Sequence, residues 1–348
     1  MGDAYTGLSR FTDPHAFAHL LDGLPATVSE LCEIAEQQTI HHNLLGYYGL
    51  SPAIAGAMRR VWPPRLSDIL GALVEMAPGN LHDTRAPERR TVGACMLEAH
   101  FLAGLLRSKG IPTRIRAGYF QRIRADGEHI VRFWRGALRA RGVDRDLLKA
   151  HPDRWQENLD ALSRSRNQSD HHIEHWVCEY RNGRTDPWRL VDANRSFLRA
   201  HSNLEVSFHL PSEHFEHAFQ AWKRMRTIES FDPEQYVEER QDGRSHIRSQ
   251  LLWDFYSLLN HDLAGIDDPD GETLAFVKQR TYEEASAEEL AALDTLADLM
   301  ATDPTLAQLS TFYFATGPLR IPSAEADPYS FVLTAPRPSL QGNAASNR

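Results

Sequence analysis

Residues 90–120 read, in order, as a glycine turn, a buried helix and a buried strand, and few folds accept that succession. Gly93 stands two residues before Cys95, where the backbone needs a turn or a close approach that a side chain would obstruct. After the cysteine, Leu97, Phe101 and Leu105 recur at helical spacing, with Leu102 and Leu106 beside them. Lys109-Gly110 and Pro112 then stop the helix, and residues 113–119 read as a buried strand. Cys95 is therefore expected in the first turn of a buried helix. Unpaired backbone N–H groups and the helix dipole favour a thiolate there over a thiol, so the position suits a nucleophile.

The rest of the chain can build a core around that stretch. Its 348 residues, 42% hydrophobic and 24% charged, suit a soluble globular protein of one large domain or two ordinary ones. No signal-type apolar run opens it and no stretch is long enough to cross a bilayer, so a cytoplasmic protein without a membrane partner is expected. The formal charge of −9 argues against non-specific binding to nucleic acid. Cys32, Cys95 and Cys178 are sparse, odd in number and without CxxC spacing. They form neither a disulfide framework nor a zinc knuckle, which leaves room for one reactive thiol in a reducing compartment.

Ahead of the cysteine, residues 13–24, 28–45 and 65–76 show helical spacing, with Asp13-Pro14 and Thr27 as starts. Residues 1–84 thus read as a helical lead-in, and residues 85–210 as the core. Residues 121–170 are long and charged and read as a helical insertion between two strands, either a solvated excursion or a lid over the site. Residues 171–180 alternate: Ile173, His175, Val177 and Glu179 share one strand face, and Trp176, Cys178 and Tyr180 the other. Residues 181–187 make a turn and residues 188–192 return. His175 in the first arm and Asp192 at the end of the second can then be cross-strand neighbours. Residues 211–225, 245–263 and 285–308 are helical in period within a helical C-terminal region, 211–337. Residues 338–348 read as a disordered tail.

A cysteine nucleophile needs a base for its proton, and that base needs a third group to fix its tautomer and stabilise the imidazolium. Cys95, His175 and Asp192 supply those roles on a helix start, a strand and the returning strand. Taken singly, each has an ordinary reading: a small core residue, a satisfied strand histidine and a turn former. Their conjunction and order are what point to catalysis.

These residues resemble the transglutaminase-like superfamily, whose core is cysteine-protease-like. The likeness rests on Gly93-Ala94-Cys95, then Leu106-Arg107-x-x-Gly110-Ile111-Pro112-x-Arg114 with Gly118-Tyr119, then His175-Trp176-Val177-x-Glu179, and finally Trp188-x-x-Val191-Asp192. It covers the core from about residue 85 to 194, and a weaker likeness to stand-alone bacterial members of that superfamily extends over the helical flanks. The resemblance implies an α+β fold, a transglutaminase-like, papain-like core in which the nucleophile helix packs on an antiparallel sheet, with helical N- and C-terminal extensions. It implies Cys95 as nucleophile, His175 as general base and Asp192 as its orienting carboxylate. An acyl-cysteine intermediate would form from an amide or thioester and be resolved by an amine or water. Backbone N–H groups at the Cys95 helix start are the natural oxyanion donors, and Gln38 is the candidate side-chain donor. Cys178, on the opposite strand face from His175, reads as core and not as a resolving thiol.

A competing arrangement is a metal site built from His41-His42, His171-His172-x-x-His175 and the histidines at 209–217. Strand alternation turns His172 away from His175, and no HExxH motif accompanies them, so no metal and no cofactor are expected. The expected activity is acyl transfer, as transamidation or amide formation, on a small, peptide or carrier-protein-bound substrate. A cysteine peptidase or amidase of the same fold is the alternative, and a non-catalytic binding domain is the second.

Overall fold

The structure, a computed structural model, describes residues 4–45, 48–62, 64–121, 172–196, 207–236, 241–261 and 275–320. The expected insertion at 121–170, apart from Gln121 at the end of a strand, and the tail at 338–348 lie outside them. Helix α1 (Val28–Gln38) starts at an N-cap, Thr27, whose hydroxyl accepts the Glu30 N–H. It ends earlier than the apolar spacing predicts. Thr39–His41 forms a short strand, β1, followed by a 3₁₀ turn over His42–Leu44, because the β-branched pair Thr39-Ile40 finds a strand partner. Residues 15–21 are likewise a 3₁₀ turn and not an α-helix, since an i, i+3 repeat of apolar residues satisfies both. Helices α2 (Pro52–Ala57) and α3 (Leu66–Met76) lead to strand β2 (Thr91–Gly93), which pairs in parallel with β1.

Helix α4 (Cys95–Ser108) follows at once and is buried from Cys95 to Arg107, consistent with a sequence apolar nearly all round. Its end is a Schellman closure. The Gly110 N–H bonds to the Arg107 carbonyl and the Ile111 N–H to the Leu106 carbonyl, with Gly110 at φ 72°. Its beginning requires Gly93, where an added Cβ would stand 2.6 Å from Leu97 Cβ.

The main sheet is antiparallel, in the order β5 (Arg189–Val191), β4 (His172–Tyr180), β3 (Thr113–Gln121), β6 (Phe215–His217). Strand β6 corrects the expected all-helical region 211–337: only from Ala218 does helix α5 (Ala218–Thr227) begin. Gly118, opposite His175, lets β6 in, since a Cβ there would meet the Glu216 carbonyl oxygen at 2.4 Å. The two faces of the sheet bury separate cores. Ile115, Ala117, Tyr119, Trp176 and Cys178 pack with α4, and Phe120, Val177, Leu190 and Phe215 pack with Ile40 and Val92 of the smaller sheet and with Leu44 of the turn after β1.

Helix α6 (Gly243–Leu258) is buried along almost its whole length despite a polar sequence, because Arg248 and Asp254, its buried charges, are matched. Asp254 pairs bidentately with Arg116 at 2.8 Å and accepts the Ala117 N–H at 3.0 Å, which caps the edge of β3 where β6 has ended. Arg248 pairs with Glu289 of helix α7 (Ala287–Met300). The helix expected over 285–308 is two: α7 and α8 (Leu306–Ala315) are separated at Asp303-Pro304, since proline disfavours helix in the residue before it. One apolar cluster runs from Phe11 and Leu31 through Phe101 and Trp176 to Trp253 and Tyr313, so lead-in, core and C-terminal helices share one interior. No helix among the described residues is long and apolar enough to cross a membrane.

Candidate active site

Cys95 is the first residue of α4, as its spacing predicts, and β2 delivers it directly. Its sulfur takes a hydrogen bond from the backbone of Trp176, the residue after His175 on β4. His175 is fully buried, and its Nε2 hydrogen-bonds to the Asp192 carboxylate. The two are not directly opposed. Val191 pairs with Cys178, so Asp192 is level with Val177 and reaches His175 along the diagonal, on the same face. Asp192 is held from both sides of its own backbone: its N–H donates to the Phe208 carbonyl at 2.9 Å, and its Oδ1 accepts the Asn194 N–H at 2.8 Å. The Phe120 ring stands edge-on to His175, with centroids 6.1 Å apart.

Electrostatics around the thiol differ from the expected thiolate preference. Cys95 is only 8% exposed. Burial pushes its thiol well above the ordinary range, the Glu174 and Asp192 carboxylates add to the rise, and the Trp176 backbone hydrogen bond opposes it. Desolvation and the neighbouring carboxyls thus oppose the thiolate preference that a helix start gives. Glu174 is subject to the same burial. Hydrogen bonds from His246 and Trp176 and the charges of Lys278 and His246 prevail, holding it down at about 2. Glu98 goes the other way: burial pushes its carboxyl well up, against the hydrogen bond from Asn194.

Gln38, the candidate oxyanion donor, has its amide engaged by the loop ahead of β2. Its side chain is buried, and its Nε2 donates to the carbonyls of Leu81 and Asp83, each at 3.0 Å, while its Oε1 accepts from Arg85 Nε. Both amide hydrogens are spent on pinning the loop ahead of β2. The part of the lead-in that does approach the nucleophile is the end of β1: His41 pairs with Gly93, and His42 Nδ1 lies 3.2 Å from the Gly93 carbonyl oxygen.

Of the histidines considered for a metal, His41 and His42 stack on each other with centroids 4.5 Å apart, and others are engaged elsewhere. His172 stacks on Tyr236 with centroids 4.1 Å apart, His217 lies 3.0 Å from Glu179, and His246 lies 3.2 Å from Glu174. Among the described residues no group of three or more His, Cys, Asp or Glu side chains could hold a metal ion. Cys178 donates its S–H to the Ala99 carbonyl at 3.2 Å, as a core residue would. Glu98, Asn194 and Glu174 surround the site without any flag in the sequence. An acid in a helix's first turn and an asparagine after a strand read as dipole partner and turn former. No family model, curated protein or solved structure matches this chain.

Proposed function

We propose that the protein is a cysteine-dependent acyl transferase, with Cys95 as nucleophile, His175 as general base and Asp192 as the carboxylate that orients it. The observation that carries this reading is the buried His175–Asp192 hydrogen bond on the strand against which the Cys95 sulfur rests. By taking the Nε2–H, Asp192 fixes the tautomer whose lone pair is on Nδ1. Sγ attacks the carbonyl carbon of an amide or thioester as its proton passes to His175. The tetrahedral intermediate collapses when His175 returns that proton to the leaving amine or thiol, giving an acyl-cysteine. An amine or water then attacks the acyl carbon and releases Cys95. Backbone N–H groups at the very start of α4, ahead of the Leu97 N–H that bonds to the Ala94 carbonyl at 2.9 Å, are the donors for the oxyanion.

The helix-on-antiparallel-sheet arrangement, with cysteine, histidine and aspartate in that order, supports the resemblance to the transglutaminase-like superfamily. A thiol 8% exposed, together with a fully buried histidine, favours a guarded site, hence transamidation or amide formation on a small or carrier-bound acyl donor, over an open protease cleft. Iodoacetamide labelling of the folded protein, read by peptide mass mapping, tests the nucleophile assignment. Cys95 is expected to label, and His175→Ala to slow it, while Cys32 and Cys178, both fully buried, stay protected. Equal, slow labelling of all three would overturn the assignment.

A further inference from the structure

We propose that Glu98 is a positioning residue of the Cys95 centre, holding through Asn194 the Asp192 carboxylate that orients His175. The inference rests on the acyl-transfer reading of Cys95, His175 and Asp192. Glu98 is 3% exposed and lies one turn after Cys95 on α4, the helix that faces β4. Its Oε1 accepts the Asn194 Nδ2–H at 2.8 Å, and the Asn194 backbone N–H donates to Asp192 Oδ1, also at 2.8 Å. A single asparagine thus ties the nucleophile helix to the carboxylate that binds His175 Nε2. Glu98 Oε2 is buried with no partner among the described residues.

The charge on Glu98 decides what it can do. Cys95 stands on its own helix, Glu36 projects from α1 with Arg195 bound to it at 2.8 Å, and Asp192 follows β5 beside His175. A further anion here would oppose both Asp192 and the thiolate that forms as Cys95 reacts. Burial pushes the Glu98 carboxyl well up, toward the neutral acid. As a neutral acid it accepts from Asn194 with one oxygen and adds no charge to the pocket. A glutamine would reproduce that state, with the same acceptor and an NH2 in place of the O–H.

The test is the pH profile of Cys95 alkylation by iodoacetamide in the full chain, followed by intact mass and peptide mapping. Glu98→Ala and Asn194→Ala loosen Asp192, so the profile midpoint moves up by about one unit, a tenfold slowing at a given pH on its rising limb. Glu98→Gln recovers most of that loss. In a His175→Ala background, Glu98→Ala adds nothing, because its effect passes through the histidine. An anionic Glu98 predicts the opposite sign, a midpoint that falls when the charge is removed. The proposal is overturned by that downward shift, by a Glu98→Gln no better than alanine, or by a slowing that persists without His175. If Glu98→Ala does not fold, Glu98→Gln and Asn194→Ala carry the same comparison. Failure of Cys95 to label ahead of Cys32 and Cys178 is read in the unaltered protein alone, and overturns the nucleophile assignment rather than the role of Glu98.

Discussion

Replacing Asp254 by alanine probes the joint between α6 and the sheet that carries the candidate site. Asp254 is fully buried and serves three donors: Arg116 Nε and Nη2, each at 2.8 Å, and the Ala117 N–H at 3.0 Å. Its removal leaves the Ala117 N–H without that acceptor, worth about 1–3 kcal/mol. It also leaves a buried guanidinium short of one partner, and breaking a buried pair from one side costs about 3–5 kcal/mol in total. Glu179 still accepts from Arg116 Nη1 at 2.8 Å, which offsets part of the loss. The expected destabilisation is about 4 kcal/mol, a large share of the roughly 5–15 kcal/mol that holds a domain together. Urea unfolding followed by far-UV circular dichroism would show it as a midpoint lowered by more than about 1 M for an m-value near 3 kcal/mol/M. Asp254→Asn keeps an acceptor for Ala117 and loses the charge, so it should fall between wild type and alanine. The double change Arg116→Met with Asp254→Leu removes both charges and should recover only part of the stability, because apolar packing replaces the desolvated pair while the Ala117 N–H stays unmatched and buried Glu179 loses its bond from Arg116. A loss below about 1 kcal/mol for Asp254→Ala would refute the account of α6 as an electrostatic clamp on β3.

Three further outcomes follow from the charges and hydrogen bonds of the site. Glu174 has its folded value depressed to about 2 from the ordinary 4.5. Its contribution is therefore fully present above pH 4.5 and is lost as pH falls toward 2, so the stability difference between wild type and Glu174→Gln, measured by urea unfolding, should shrink by about 2–3 kcal/mol over that window. Glu98 has its folded value raised, so its penalty grows as pH rises above 4.5; Glu98→Gln should be the more stable protein at neutral pH, with the gain fading below pH 4.5. Gln38→Ala should lower the unfolding midpoint, through loss of its bonds to Leu81, Asp83 and Arg85, while the folded fraction still labels at Cys95; loss of Cys95 reactivity without loss of stability would restore Gln38 to the oxyanion role.

The parts of this protein legible in its sequence are those set by local rules. The stop of α4 at Lys109-Gly110 follows from glycine's left-handed φ, and its start at Cys95 from the turn at Gly93. Alternation along β4 separates His175 from Cys178, and the two faces do bury different cores. What the local pattern hides is long-range pairing. Strand β1 reads as the continuation of a helix until β2, some fifty residues later, offers it a partner, and β6 reads as a helix start until β3 pairs with it. Gln38 reads as an exposed helix glutamine or an active-site donor, and the Leu81–Arg85 loop that consumes its amide lies beyond any spacing rule. Cys95 shows the same limit in its electrostatics: a helix start predicts a low thiol value, whereas the surrounding carboxyls and the depth of burial raise it. Glu98 and Glu174 enter the site only through the fold.

The account's central claim is that Cys95 forms a covalent acyl intermediate. Intact-mass analysis after rapid mixing with a panel of amides and thioesters, with peptide mapping of any adduct, tests it most directly. The expected result is an acyl group on Cys95 that is absent from Cys95→Ala, accumulates more slowly in His175→Ala, and is discharged by added amine. An acyl donor that is turned over equally well by wild type and Cys95→Ala would contradict it.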